Sequence, residues 1–269
     1  MLNWFRDRRR AQLLSEPFPA EWEAVLRSLT FYNLLTPAEQ EHLRRDMRVF
    51  IAEKNWEGVR IELTDEMRVR VAAHACYLIL HLDLSCYDRT MSILMYPDAY
   101  AVPQEVGLQG GGMIVGRSDR LGENWYRGPI ILSWPDVVAA GTESARTRNL
   151  VYHEFAHELD TLNGRSADGT PPLDSPELAR RWEAVMSRAY DRLSSDCRYG
   201  RPTLLDCYGT ENRGEFFAVA TEVFFQQPVR MLRREEEMYA VMSTYFRQDP
   251  AARVLQRGPT TDDSPTHSP

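Results

Sequence analysis

Positive charge is scarce, and one of its usual carriers is nearly missing: of 32 basic side chains in 269 residues, Lys54 is the only lysine. Acidic residues number 39, for a formal net charge of −7. No domain-wide basic field exists to hold a phosphate backbone, which argues against direct nucleic-acid binding. The arginine skew is read as base composition rather than mechanism. No apolar run approaches the ~20 residues of a membrane span. The first ten residues turn charged after two or three apolar ones, a pattern from which no secretion signal is expected. Gln109-Gly110-Gly111-Gly112 is glycine-rich, but no Lys-Ser/Thr follows to make a phosphate cradle. Cys76, Cys86, Cys197 and Cys207 form no CxxC. With no export signal they read as reduced structural thiols, although two pairs ten residues apart could in principle be disulfides or ligands. The chain is expected to be soluble and cytoplasmic.

What remains is ordinary globular composition, 43% hydrophobic and 26% charged, enough for a substantial core and against wholesale disorder. Thr36-Pro37-Ala38-Glu39 is a capping box that opens a helix to about Lys54. Thr64-Asp65-Glu66 starts a second, with apolar residues at helical spacing to Leu78. Between Met91 and Val102 the pattern turns to strand, and Gly128 to Trp134 reads as another short strand. Helices are expected again over about 143–163, from Ser175-Pro176, and over 213–226 and 229–246. The expected fold class is α+β: mostly helical, with a small mixed or antiparallel sheet and no β-α-β alternation. The expected divisions are an N-terminal helical part (1–90), a core (91–250) continuous with it, and a disordered tail (251–269), low in apolar residues and rich in Pro, Thr, Ser and Asp.

One segment carries chemistry: Val151-Tyr152-His153-Glu154-Phe155-Ala156-His157-Glu158-Leu159-Asp160. Residues four apart on a helix differ by about 40° in azimuth and about 6 Å in rise, so His153 and His157 point the same way. Two imidazoles so placed can reach one zinc, and Glu154 sits where it can polarise a metal-bound water. The bland alternative is a helix with two surface histidines, but apolar residues surround the motif. A catalytic site needs a third protein ligand. The extended HExxHxxGxxH pattern is rejected, because Asp160 and Asn163 fill its glycine and third-histidine slots. Downstream only His267 remains, so the third ligand should be a carboxylate on another element. Glu215, opening a helix beside aromatic and small residues, is the best placed. Glu222, nearly on the same face two turns on, could support the ligands from behind. Glu211 reads as loop.

The two segments together, HEFAHELD over 153–160 and YGTENRGEFFAVATEVFF over 208–225, resemble the Mlc titration factor A family of bacterial cytosolic zinc metallopeptidases. The active-site core is similar to the catalytic domain of anthrax lethal factor. Further support comes from Ile93-Leu94-Met95-Tyr96-Pro97-Asp98 and from the stretch Trp125 to Trp134, so the resemblance covers roughly residues 15–250. It implies a gluzincin-type fold with one zinc held by His153, His157 and Glu215, and Glu154 as general base. It also implies Tyr208 as a hydrogen-bond donor to the transition state; on residue pattern alone, Tyr208 would simply pack against Gly209-Thr210. The resemblance further implies aminopeptidase-like action on peptides and binding to a Mlc-like transcriptional repressor. The rival expectation is a regulatory protein that sequesters a repressor, with peptidase activity weak or incidental.

Other features carry blander expectations. Asp160 either orients an imidazole or caps and solvates the helix end. His74, Cys76 and His81 share a helical stretch but lack a fourth partner, so packing is expected. Trp182, Phe216, Phe217, Phe224 and Phe225 are expected in the core. The Arg6 to Arg10 cluster is expected to be a solvated terminus.

Overall fold

The computed structural model describes residues 2–98, 128–140, 148–164 and 166–257. The expectations for Gln109–Gly112, for Trp125–Arg127, for the helical start at 143–147 and for the tail after Arg257 lie outside the described residues. Among those described, the chain runs α1 (Leu2–Ser15), α2 (Ala20–Arg27), α3 (Pro37–Glu53), β1 (Asn55–Gly58), α4 (Asp65–Leu78), β2 (Ser92–Tyr96), β3 (Ile130–Ser133) and α5 (Trp134–Ala139). It continues with α6 (Leu150–Asp160), α7 (Pro176–Arg198), α8 (Arg213–Gln226), α9 (Pro228–Arg234), α10 (Glu236–Phe246) and α11 (Pro250–Gln256).

Local chemistry sets several of these boundaries. Thr36 accepts from the Glu39 N–H while the Glu39 carboxylate accepts from the Thr36 N–H, so the expected capping box opens α3. Thr64 caps α4 through the Met67 N–H, and Ser175 caps α7 through the Leu178 N–H. Arg10 is no solvated terminus: it makes a two-pronged bond to Glu53, both contacts at 2.7 Å, pinning α1 to α3.

The sheet corrects the sequence expectation. Among the described residues its three strands lie in the order β1-β2-β3 and both pairings are parallel, with Trp56 opposite Ile93 and Ile93 opposite Ile130. A parallel pair requires a crossover, and α4 supplies it between β1 and β2, so one β-α-β unit exists where none was expected. The strand that makes the difference, Asn55-Trp56-Glu57-Gly58, has no β-branched residue, and Trp56 is its one strand-favouring side chain. Two further boundaries shift. The helix expected over 229–246 breaks at Glu235 into α9 and α10. Residues 251–256, assigned to the tail, belong to α11, where Ala251 is fully buried.

One apolar cluster draws on both the 1–90 and 91–250 stretches, including Leu43, Phe50, Tyr77, Ile93, Leu132, Phe155, Trp182, Phe217, Phe224 and Phe246. Trp182, Phe216, Phe217, Phe224 and Phe225 are all buried, as expected. No helix among the described residues is long and apolar enough to cross a membrane.

The cysteines are a second correction. Cys197 and Cys207 form a disulfide, while Cys76 and Cys86 are free. The end of α7 and the 3₁₀ turn Cys207–Thr210 bring their Cα atoms to 5.8 Å, within bridging range. A bridge closing so short a loop is expected to contribute about 2–3 kcal/mol. The double variant Cys197→Ser, Cys207→Ser should therefore unfold at a lower urea concentration than the oxidised native protein. An unchanged midpoint would remove the bridge from the stability of the fold.

Candidate metal centre

Two helices build the site. Asn149 caps α6 by accepting from the Tyr152 N–H at 3.1 Å, so the helix begins at Leu150. Val151, Phe155 and Leu159 are fully buried and root α6 in the core, which commits His153 and His157 to the opposite side. In α8, Asn212 accepts from the Glu215 N–H at 2.9 Å, and Glu215 occupies the first turn, where the helix dipole favours a carboxylate.

Two glycines bring the segment after α6 against the start of α8. Gly169, at φ +77°, has the Arg213 carbonyl oxygen only 2.5 Å from where a Cβ would stand. A Cβ on Gly214 would meet the Ala167 carbonyl oxygen at 2.8 Å. Gly169 is held further by its N–H to Asp160 (2.8 Å) and by its carbonyl, which accepts from the Trp182 indole at 3.0 Å. Asp160 thus anchors this loop; no hydrogen bond joins it to an imidazole, and it is fully buried rather than solvated.

These contacts bring His153, His157 and Glu215 together, the one group among the described residues whose donor atoms could jointly hold a metal ion. The two Nε2 atoms lie 3.3 Å apart. Glu215 Oε2 is 3.0 Å from His153 Nε2 and 3.5 Å from His157 Nε2. Tetrahedral ligands at bond lengths of about 2.0–2.1 Å are separated by about 3.3 Å, so this triangle fits one face of such a site. The opposite side of His153 is fixed as well: its Nδ1 lies 2.8 Å from Glu222 Oε1, which sets the tautomer with the proton on Nδ1 and leaves the Nε2 lone pair facing the triangle.

The electrostatics suit a cation. Burial alone would push the His153 pKa down, but hydrogen bonds to Glu215 and Glu222 outweigh it and hold the ring well above its ordinary value. Burial likewise opposes Glu215 ionisation, yet His153 and His157 carry its carboxyl far below the usual range. A centre that binds a proton so firmly binds a metal in competition with it.

Tyr208 borders this cluster. It lies in the 3₁₀ turn that the Cys197–Cys207 bridge ties to α7, with its ring centroid 6.1 Å from that of His153. Burial first, then the charges of Glu215, Glu211 and Glu154, push its pKa far up, so the phenol remains a proton donor. Glu154, next along α6 from His153, is buried too. Glu211 is exposed and stands outside the donor triangle.

His74, Cys76 and His81 do not converge: His81 pairs with Glu39 at 3.2 Å, and Cys76 is buried in the core. Sequence reasoning missed Asn149, whose backbone N–H donates to Glu222 Oε2 at 2.5 Å. The signal was available, since asparagine directly before the apolar run Leu150-Val151-Tyr152 is a good helix cap.

A mostly helical protein with, among the described residues, a three-stranded parallel sheet and a buried histidine–glutamate triangle on two packed helices has the arrangement of a metal-dependent hydrolase. The chain belongs to the glucose-regulated metallo-peptidase M90 family, whose model matches residues 3–247. It is 36% identical over 249 residues to an uncharacterized protein of Synechocystis, covering 91% of this chain and 90% of that one. It is 33% identical to Mlc titration factor A of Serratia proteamaculans, over 88% of this chain and 90% of the relative. With Mlc titration factor A of Edwardsiella ictaluri it shares 30% identity over 98% of this chain and the whole of the other. The resemblance carried by residues 153–160 and 208–225 therefore holds at the level of the family, and the family implies a metal and a peptide substrate.

Asp160 gives this region a pH signature. Burial pushes its pKa up to about 6 from an ordinary 3.8, against the Gly169 N–H and His157, which pull it down. The folded state then binds a proton that the unfolded chain has released, so stability falls as pH rises between about 4 and 6 and levels off above. In chelator-treated protein, Asp160→Asn should flatten that slope and raise the urea midpoint at pH 7. An unchanged slope would show that Asp160 ionises normally.

Proposed function

We propose that this chain is a zinc peptidase, aminopeptidase-like, with one zinc held by His153, His157 and Glu215. The observation that carries this reading is the donor triangle with edges of 3.0, 3.3 and 3.5 Å. Zinc, when bound, supplies a Lewis acid that acidifies water and polarises a peptide carbonyl. Glu154 takes the proton of the attacking water as the new C–O bond forms. It then delivers that proton to the amine as the C–N bond breaks. Tyr208, kept neutral by burial and surrounding carboxylates, donates a hydrogen bond to the carbonyl oxygen as negative charge gathers there. β3 is bonded on one side only, to β2, among the described residues. Its free edge from Ile130 to Ser133 is where an extended peptide would align its backbone. The N-terminal helices belong to the same working unit, and the protein acts in the cytoplasm.

A regulatory role is the second reading, favoured by the names of the Serratia and Edwardsiella relatives. On this reading the chain binds a Mlc-like transcriptional repressor, with hydrolysis secondary. The two activities separate by mutation: Glu154→Gln should abolish hydrolysis and leave repressor capture intact if binding is independent of catalysis.

Metal analysis of the purified protein should find about one zinc per chain, removed by chelator with loss of hydrolysis of amino-acid and peptide amides. Glu215→Ala should lose zinc while Glu211→Ala keeps it; the reverse would reassign the third ligand. Glu154→Gln should retain zinc and lose about 10²–10⁴-fold in kcat. Tyr208→Phe should retain zinc and melting temperature while kcat drops ~10²–10³-fold with KM little changed. Unchanged kcat in the tyrosine variant would reduce Tyr208 to a packing residue.

A further inference from the structure

Behind His153 a line of buried polar groups continues into the core. Glu222 bonds His153 Nδ1 through Oε1 at 2.8 Å and accepts the Asn149 backbone N–H through Oε2 at 2.5 Å. The Asn149 side-chain Nδ2 in turn faces His74 Nδ1, on α4, at 3.3 Å. Asn149 and His74 are both fully buried. The amide orientation follows from its neighbours. The Asn149 Oδ1 must accept from the Tyr152 N–H, which leaves Nδ2 to donate and makes His74 Nδ1 an acceptor.

Packing alone does not explain a histidine here. Its ring lies between Phe31 and Tyr152, each with a centroid distance of 5.1 Å. Its Nε2 is buried without a hydrogen-bond partner. A phenylalanine would fill the same aromatic slot and bury no polar atom. What the imidazole adds is the acceptor at Nδ1. Burial, aided by the charge of Arg70, pushes its pKa down to about 3, so the ring stays neutral and that acceptor is always available.

We propose that His74 and Asn149 are positioning residues of the metal centre: His74 orients the Asn149 amide, Asn149 seats Glu222, and Glu222 aims His153. The proposal rests on the reading of His153 as a metal ligand and extends it across three helices, α4, α6 and α8. Groups that orient a metal ligand from behind typically govern 10–100-fold in metal affinity. The line ends at His153, so its removal changes ligand aim and tautomer rather than ligand number.

The test is zinc affinity of the full chain, measured by competition with a chromophoric chelator, beside the melting temperature of the metal-stripped protein. His74→Phe should weaken zinc binding about 10-fold or more. Its metal-free melting temperature should stay near the native value, because loss of the orphaned Nε2–H offsets the acceptor taken from Asn149 Nδ2. His74→Gln, which offers a carbonyl oxygen to Asn149, should restore most of the affinity. Asn149→Ser keeps a capping oxygen for Tyr152 and loses the amide donor, so it should weaken binding by a similar factor. The double variant His74→Phe, Asn149→Ser should be no weaker than the worse single one, as expected of two links in one chain. Native affinity in His74→Phe, or losses that multiply in the double variant, would overturn the proposal. If His74→Phe does not fold, Asn149→Ser decides by the same measure. Native protein that binds no zinc would instead overturn the metal reading itself, and this proposal with it.

Discussion

The burial of four ionisable side chains between α6 and α8 is the constraint around which the rest of the molecule is arranged. His153, His157, Glu215 and Glu222 are each less than 10% exposed. Charges removed from water this far are tolerated only when paired and hydrogen-bonded. The pairing depends on the helices' separation, and that separation depends on two glycines and a capped turn at each helix start. The apolar cluster holds the helices in place; the polar cluster specifies where they must meet.

Much of this was legible in the chain, and for identifiable reasons. His153 and His157 share a face because the helix period demands it. Glu215 was selected by elimination of other histidines and by its place at a helix start, and these three side chains do meet. α3, α4, α7 and α8 were legible because each opens on a capping residue ahead of an apolar periodic run. β1 was not, since its pairing with β2 depends on long-range contacts that Asn55-Trp56-Glu57-Gly58 does not advertise. The break at Glu235 was equally hidden, because no glycine or proline marks it, whereas the helix at 250–256 carries a legible start, Asp249 capping the Ala252 N–H ahead of Pro250. The disulfide was misread on grounds of compartment, whereas geometry decided it.

His74 shows how far a correct local expectation reaches. Packing was expected, and packing is what its surroundings provide. Its connection to the site runs through the side-chain amide and the backbone N–H of Asn149 to Glu222, residues far from His74 in sequence, and no local pattern encodes that. Polar networks of this kind become visible only when each buried donor and acceptor is followed to its partner.

Gly169 and Gly214 have no ionisable atom and touch no donor of the triangle, yet they set how closely α8 approaches the loop after α6. A single methyl group at either position would have to push backbone against backbone, and the displacement would reach Glu215, one residue beyond Gly214. Inactivating mutations in this protein should therefore not be confined to acids, bases and ligands. Two smooth, chemically silent places on the chain are as exposed to natural selection as the histidines, and a survey of tolerated changes would find both closed to alanine.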